Sequence, residues 1–339
     1  MAEIILHPEV EAALVAASPI VLLESAVLTA GMPDAPWRDD WALDALETAV
    51  PGWDTTVSLA LELGRRMEAT VRDHGAVPCT TAIIDGNLHL GLEQGSLAGL
   101  IKRGHGAKAS MTSIAHVMQA GRCAGTTVSG ALLACKVLNN CREEDTHWTP
   151  TLATGGIGGV HRNWQDSPDV SVDLHAMATT RACIVASGSK SILDTSATLE
   201  VLESYGVPVL GWQTDRWPAF ITKTPGDAPR ITRIEEAAEV KRTCSIQWDV
   251  LNLEASILLA NPLDDALALD TELHDQHASA AEHAAADRKA TGIDRTPFLL
   301  GYMADATQGR SVAANLALLL DNASRAAEIS CLLAGPHLA

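Results

Sequence analysis

Two residues of this chain stand where a reactive group is expected, at the end of an apolar strand. Glu24 closes the run Ile20-Val21-Leu22-Leu23, and Lys190 follows Cys183 to Ser189. In open α/β sheets functional groups gather at the carboxyl ends of strands. A carboxylate leaving an apolar strand loses water, which raises its pKa and suits it to act as a general acid; a helix cap or an ion pair is the alternative. A lysine in the second position is either an amine nucleophile toward a carbonyl carbon or a ligand for phosphate.

Further donors lie between them. Lys108, in His-Gly-Ala-Lys-Ala-Ser, is followed a helix-length later by Gly125-Thr126-Thr127, and both segments can offer donors to a phosphate, unless Lys108 is simply a surface lysine. Asp169 and Asp173 bracket Ser171 in Asp-Val-Ser-Val-Asp. An extended backbone would put the three side chains on one face, an oxygen-rich patch suited to a hard divalent cation; a helical start would make them caps instead.

Residues 151–162 read Thr-Leu-Ala-Thr-Gly-Gly-Ile-Gly-Gly-Val-His-Arg, with four glycines in five positions. Such a density marks a turn that needs either positive φ or close main-chain approach. A dinucleotide fingerprint counted from Gly156 places Gly158 third but His161 sixth, where glycine is required. A P-loop fails too, because Lys190-Ser191 follows Ser189 and lacks the upstream glycine spacing.

The elements that must hold these residues follow from patterning. Apolar runs at 19–23, 77–84, 88–92, 151–157, 182–186, 207–212 and 256–259 predict buried strands, and helical periodicity predicts helices at 57–73, 191–205 and 311–333, hence an α/β fold. An Ala-rich helix at 270–289 carries His274, His277 and His283, read as a polar face in preference to a metal site. The 339 residues are 47% hydrophobic and 19% charged, with a formal net charge of −18, which argues against nucleic-acid polymers as partners. No basic leader or membrane-length apolar run is visible, so a cytoplasmic protein is expected; the seven scattered cysteines, without a Cys-x-x-Cys pair, read as buried small residues.

In this order, the residues resemble the pseudouridine-5′-phosphate glycosidase family. The resemblance rests on Glu24-Ser25 with Gly31-Met32-Pro33, Gly75 to Gly86, Lys108, Gly125 to Val128, Thr154 to Arg162, Asp169 to Leu174, Lys190 to Asp194, Thr214-Asp215, Ala260-Asn261-Pro262, Thr296 to Leu300 and Asn315 to Asn322. It implies one α/β/α sandwich domain over 1–339 with a mixed or mostly parallel sheet, a homotrimer, one manganese ion per subunit, and a sugar phosphate and an aglycone as small-molecule partners. The activity implied is a lyase that makes or breaks the carbon-carbon bond between C1′ of ribose 5-phosphate and a ring carbon of the aglycone. On matching positions Glu24 is the proton donor and Lys190 the nucleophile that forms an imine with C1′. Asp169 is the metal ligand, Lys108, Thr127, Val128, Ser171, Val172 and Asp173 contact the sugar phosphate, and His161 and Asn315 line the site.

The chain departs from the family pattern in three places. Thr29-Ala30-Gly31-Met32-Pro33 stands where the family has Ser-His-Gly-Met-Pro, Ser110-Met111-Thr112-Ser113 where it has Ser-Arg-Arg-Asp, and an inserted loop at about 34–56 contains Trp37, Trp41 and Trp53. These changes suggest an apolar aglycone pocket, as in a synthase that attaches ribose 5-phosphate to an aromatic natural-product ring. Packing of an inserted loop is the other reading of the tryptophans. An inactive sugar-phosphate-binding homologue is the alternative of another class.

Overall fold

The computed structural model describes residues 2–141, 150–162, 164–165, 168–191, 193–288 and 295–334. Ile192 of the Lys190–Asp194 motif and Lys289, the predicted end of the histidine-rich helix, lie outside them. The strands among the described residues are β1 (Ile4–Leu6), β2 (Ile20–Leu23), β3 (Val77–Ile84), β4 (Asn87–Leu90), β5 (Lys108–Ala109), β6 (Ala124–Thr126), β7 (Thr151–Ala153), β8 (Val160–His161), β9 (Cys183–Ala186), β10 (Leu193–Asp194), β11 (Val209–Trp212), β12 (Thr232–Ile234) and β13 (Ile257–Ala260).

The main sheet runs β1-β4-β3-β2-β7-β9-β13-β11-β12, with β6 also on β3 and β5 on β6. From β3 to β12 every neighbouring pair is parallel, whereas β3 meets β4 and β6 antiparallel. This is the expected mostly parallel sheet with helices on both faces. Continuous apolar strands are the physical reason: Ile20 and Leu22 of β2 enter one core while Val21 and Leu23 enter the other, so neither face can be left to water.

One face is covered by the helix Leu59–Asp73, whose Leu59, Leu63, Met67 and Val71 recur at helical spacing and are buried, and by the long helix Arg310–Ala334 beside it. Ser58 starts the first of these, its side chain accepting from Leu61 N at 3.3 Å. The other face is covered by Val128–Asn140, Val172–Ala178 and Thr195–Ser204, through Leu132, Leu174 and Leu202.

The strand expected at 77–84 is observed with those limits, but that expected at 151–157 stops at Ala153. Beyond it the glycine turn leaves the sheet. β1, β5, β6, β8, β10 and β12 are not among the expected strands, since two or three residues are too few to show a period.

The inserted loop is docked, not open. Trp37, Trp41 and Trp53 are buried in the core, and the Trp37 and Trp41 rings meet edge to face at 5.1 Å. Ala42 N donates to Gln308 O at 2.9 Å, and Arg38 pairs with Asp305 at 2.7 Å, fixing the loop to the junction between Arg295–Ala306 and Arg310–Ala334. Loop packing is thus the reading that holds for these indoles, in place of an open aromatic pocket.

Gly309 makes that docking fit: its φ is +80°, and a Cβ there would lie 2.8 Å from the Trp37 ring. Gly309→Ala is expected to lower stability by more than about 1 kcal/mol, since both φ and space are wrong for alanine. Gly95→Ala, in the helix Gln94–Arg103 with nothing within 4 Å of a Cβ, should raise it by about 0.5 kcal/mol. Urea unfolding of the two variants checks the contrast.

Candidate active site

Because the central strands are parallel, the residues that follow β2, β7, β9 and β13 emerge at one edge of the sheet. They are Glu24, Thr154, Ser187 and Asn261. After Glu24 the chain winds into a π-helical turn, Val27–Gly31, a geometry that concentrates at functional sites. Glu24 is 8% exposed; its carboxylate accepts from Val27 N at 3.3 Å and from the Thr154 hydroxyl at 3.4 Å.

Burial pushes the Glu24 pKa above the ordinary carboxylate range. Lys190 and the Val27 amide oppose that shift, Asp173 adds to it, and Lys108 opposes it weakly. The local backbone is pinned from behind by a hydroxyl network. Ser25 Oγ donates to Thr81 O at 2.5 Å and accepts from Thr126 N at 3.1 Å, while Thr126 Oγ1 donates to Thr81 O at 2.8 Å.

The four clustered glycines all have ordinary negative φ, so close approach and not backbone freedom explains them. A Cβ on Gly158 would strike Ser171 and Asp173, and one on Gly159 would strike Thr198. Gly158 N donates to Asp173 Oδ2 at 3.0 Å, and Ser129 N donates to Asp173 Oδ1 at 2.9 Å. One buried carboxylate therefore ties the glycine turn to the first turn of Val128–Asn140.

Lys190 is held by its main chain to the same turn: Ile157 N donates to Gly188 O at 3.0 Å, and Lys190 N to Ile157 O at 3.2 Å. Its side chain is exposed, not covered by the apolar strand before it. Lys108, on β5 beside Gly125 of β6, has its pKa lowered first by desolvation and then by Lys190, while Glu24 and Asp173 pull it back up. Glu24, Lys108, Asp173 and Lys190 thus form one electrostatic cluster drawn from four segments. Thr127 caps the helix Val128–Asn140, accepting from Gly130 N at 3.4 Å, and Val128 is buried in its first turn.

The segment Asp169 to Asp173 differs from the extended patch considered above. Val170 bridges to Val160, but Ser171 caps the helix Val172–Ala178, accepting from Asp173 N at 3.2 Å, and Asp173 turns inward. Its two oxygens are already engaged by main-chain N–H groups, so the three side chains do not form a common ligand face. Asp169 stays exposed, with its Oδ2 3.8 Å from His161 Nε2 and its carbonyl accepting from His161 N at 3.0 Å. Val172 opens the helix half-buried, and Asn315 is half-buried on Arg310–Ala334.

Among the described residues no three His, Cys, Asp or Glu side chains converge to enclose a metal ion. Asp169 offers a single carboxylate beside His161, a donor set that fits a hard cation retaining most of its water shell and not a closed protein cage. In the histidine-rich helix His274 is buried and the ring of His283 meets Ser279 O at 2.8 Å. Sequence reasoning missed Asn322 and Asn261 as parts of the site's frame. The signal was present: Asn322 interrupts the apolar stripe of Leu318, Leu319, Ala323 and Ala326.

An α/β/α sandwich with an acid and two lysines at the carboxyl edge of its sheet is the class of protein defined so far. The family model described as "Indigoidine synthase A like protein" matches residues 38–332. Proteins named pseudouridine-5′-phosphate glycosidase from Hahella chejuensis and Sorangium cellulosum are 35% and 37% identical, covering 96% and 95% of this chain and 96% and 91% of their own length. The prealnumycin C-glycosynthase AlnA, solved with ribulose 5-phosphate, superposes with a TM-score of 0.78 at 29% identity, over 98% of this chain and 97% of its own. An indigoidine synthase A-like protein from Thermotoga maritima gives the same TM-score, identity and coverage. The chain belongs to this family of pseudouridine-5′-phosphate glycosidases and indigoidine synthase A-like proteins. No helix among the described residues is long and apolar enough to cross a membrane.

The raised pKa of Glu24 has a consequence for stability. A carboxyl that is protonated more readily in the folded than in the unfolded chain loses stability as pH rises from the unfolded value, 4.5, through the folded one. Glu24→Gln should therefore melt at higher temperature than the parent at neutral pH, and the gap should close below about pH 4.5, where both states of the parent are protonated. Thermal unfolding from pH 4 to 8 checks it; a gap independent of pH would contradict the assignment.

Proposed function

We propose that the chain is a C-glycosidase-type lyase that makes or breaks the bond between C1′ of ribose 5-phosphate and a ring carbon of an aglycone through an imine on Lys190. The observation that carries this reading is the cluster of Glu24, Lys190, Lys108 and Asp173, which sets a buried acid and an amine among groups suited to a sugar phosphate. A C-glycosidic bond has no oxygen leaving group, so protonation alone cannot break it. An iminium at C1′ supplies the missing electron sink.

In the synthetic direction the open-chain aldehyde of ribose 5-phosphate condenses with the Lys190 amine: the C1′–N bond forms and the carbonyl oxygen leaves as water on a proton from Glu24, which is left as the carboxylate. The aglycone ring carbon then attacks C1′ and gives up its proton to the Glu24 carboxylate. Closure by the sugar hydroxyl at C4′ expels the amine, and the proton exchanges through Glu24. Cleavage is the same sequence reversed.

Lys108 and the N-terminal turn at Thr127 and Val128 would take the phosphate, favoured there by the lysine charge and the helix dipole, the Ser129 and Gly130 amides being already given to Asp173 and Thr127. Ser171, Val172 and Asp173 would border the sugar, with His161 and Asn315 on its rim. A hydrated divalent ion on Asp169, manganese by resemblance to the family, would offset phosphate charge in an acidic protein. The chain would work as one domain and as a homotrimer.

A second reading, the synthase, is favoured by the uncharged segment at Ser110. Its hydroxyl meets Thr112 Oγ1 at 2.9 Å and Ser113 Oγ at 3.1 Å, so these groups satisfy one another. The relative AlnA is named a C-glycosynthase.

Incubation with ribose 5-phosphate and borohydride is expected to leave a reduced pentose phosphate adduct on Lys190 of the parent and none on Lys190→Ala, read by peptide mass. Ribose 5-phosphate, manganese and uracil should give a new nucleotide with the parent. Product from a polycyclic phenol but none from uracil would select the synthase; no adduct and no product with either would sink both.

A further inference from the structure

Asn322 is fully buried on the helix Arg310–Ala334, and every polar atom of its side chain is used at the carboxyl edge of the sheet. Its amide donates to Thr154 O at 2.8 Å, to Gly155 O at 3.4 Å and to Ser187 Oγ at 3.1 Å. Its oxygen accepts from Asn261 Nδ2 at 3.0 Å, and Asn261 N donates in turn to Ala186 O at 2.9 Å. Three strand ends, those of β7, β9 and β13, therefore meet on one carboxamide. Two of them lead directly to reacting groups. Thr154 carries the hydroxyl that donates to Glu24, and Ser187 opens the turn that ends at Lys190, itself bonded to Gly155 through Ser187 N at 2.8 Å.

We infer that Asn322 is a positioning residue that fixes the Lys190 turn relative to Glu24, and so sets the rate of imine formation without contributing to the grip on the sugar phosphate. The inference rests on the imine reading above. Geometry separates the two effects: the hydrogen bonds of Asn322 run to the ends of β7, β9 and β13 and not to β5, β6 or the turn at Thr127, where phosphate binding is proposed. Without the Asn322 amide the Thr154 carbonyl loses its side-chain donor while Gly155 O keeps Ser187 N at 2.8 Å, so it is the Thr154 end, with the hydroxyl that reaches Glu24, that relaxes away from the Lys190 turn. Misplacement of reacting groups by about 1 Å is enough to cost a hundredfold in rate.

The test is the rate of borohydride trapping on Lys190 as a function of ribose 5-phosphate concentration, which needs no knowledge of the aglycone. Asn322→Leu, which keeps the volume and loses every hydrogen bond, should lower the maximal trapping rate by roughly 10- to 100-fold, with half-saturation within about threefold of the parent. Asn322→Asp, which turns a carboxylate oxygen toward the Thr154 and Gly155 carbonyls, should lower the maximal trapping rate at least as far as Asn322→Leu. Ser330→Ala is the control: Ser330 is buried on the same helix and donates to Ile20 O at 3.1 Å, away from the strand ends, so it should lower the melting temperature and leave trapping by the folded protein unchanged. Parental trapping rates in folded Asn322→Leu would overturn the positioning role while leaving the lysine chemistry intact. A weakened half-saturation with an unchanged maximal rate would overturn it as well. No adduct in the parent would remove the imine reading and this inference with it.

Discussion

The site depends on one carboxylate that is not available for chemistry. Asp173 spends both oxygens on main-chain N–H groups from Gly158 and Ser129, so a loop after β7 and a helix after β6 are joined at a fixed separation. Charge-assisted bonds of this kind are among the stronger ones available to a fold, and here they are sheltered from water. The absence of side chains at Gly158 and Gly159 follows from the same interaction, because the turn must come within touching distance of Ser171, Asp173 and Thr198. The glycines are the space that the staple requires.

Around that staple the charges are arranged against the character of the whole chain. A protein with a net charge of −18 repels an anionic substrate in general, and it must collect its cations locally to hold one. Lys108, on β5, and Lys190, in the turn after β9, are two such cations, and each lowers the cost of burying Glu24 as an anion without cancelling it. The acid is left with a pKa above the ordinary carboxylate range, which favours its protonated form.

Much of the arrangement was legible in the sequence, for reasons that can be stated. Glu24 and Lys190 were found because apolar strands end visibly, and parallel topology then dictates that such ends share an edge. The segment Asp169 to Asp173 was ambiguous because aspartate and serine serve equally as ligands and as helix caps; tertiary contacts decided for the cap at Ser171 and turned Asp173 inward. Asn322 was hidden for a different reason. Its place was marked by the break in the apolar stripe, but its partners Thr154, Ser187 and Asn261 are far apart in the chain, so what it joins could not be read locally. The tryptophans were misleading in the opposite sense, since bulk and aromaticity suit a ligand pocket and a loop anchor alike, and their burial, with Trp37 and Trp41 against Gly309, shows which of them is realised.

One feature of the sheet reaches further than its geometry. β3 changes allegiance along its length, pairing parallel with β2 through Thr80 and antiparallel with β4 from Thr81, with β6 beside Ala82 and Ile83. The acid and the amine ride on the parallel part, while Lys108 and Thr127 ride on the antiparallel annex. A fold divided in this way can evolve by halves: one part can be kept while the loops beside the other drift. Relatives that share so much of this chain yet carry the names of a pseudouridine-5′-phosphate glycosidase and a C-glycosynthase are what such a division would leave behind.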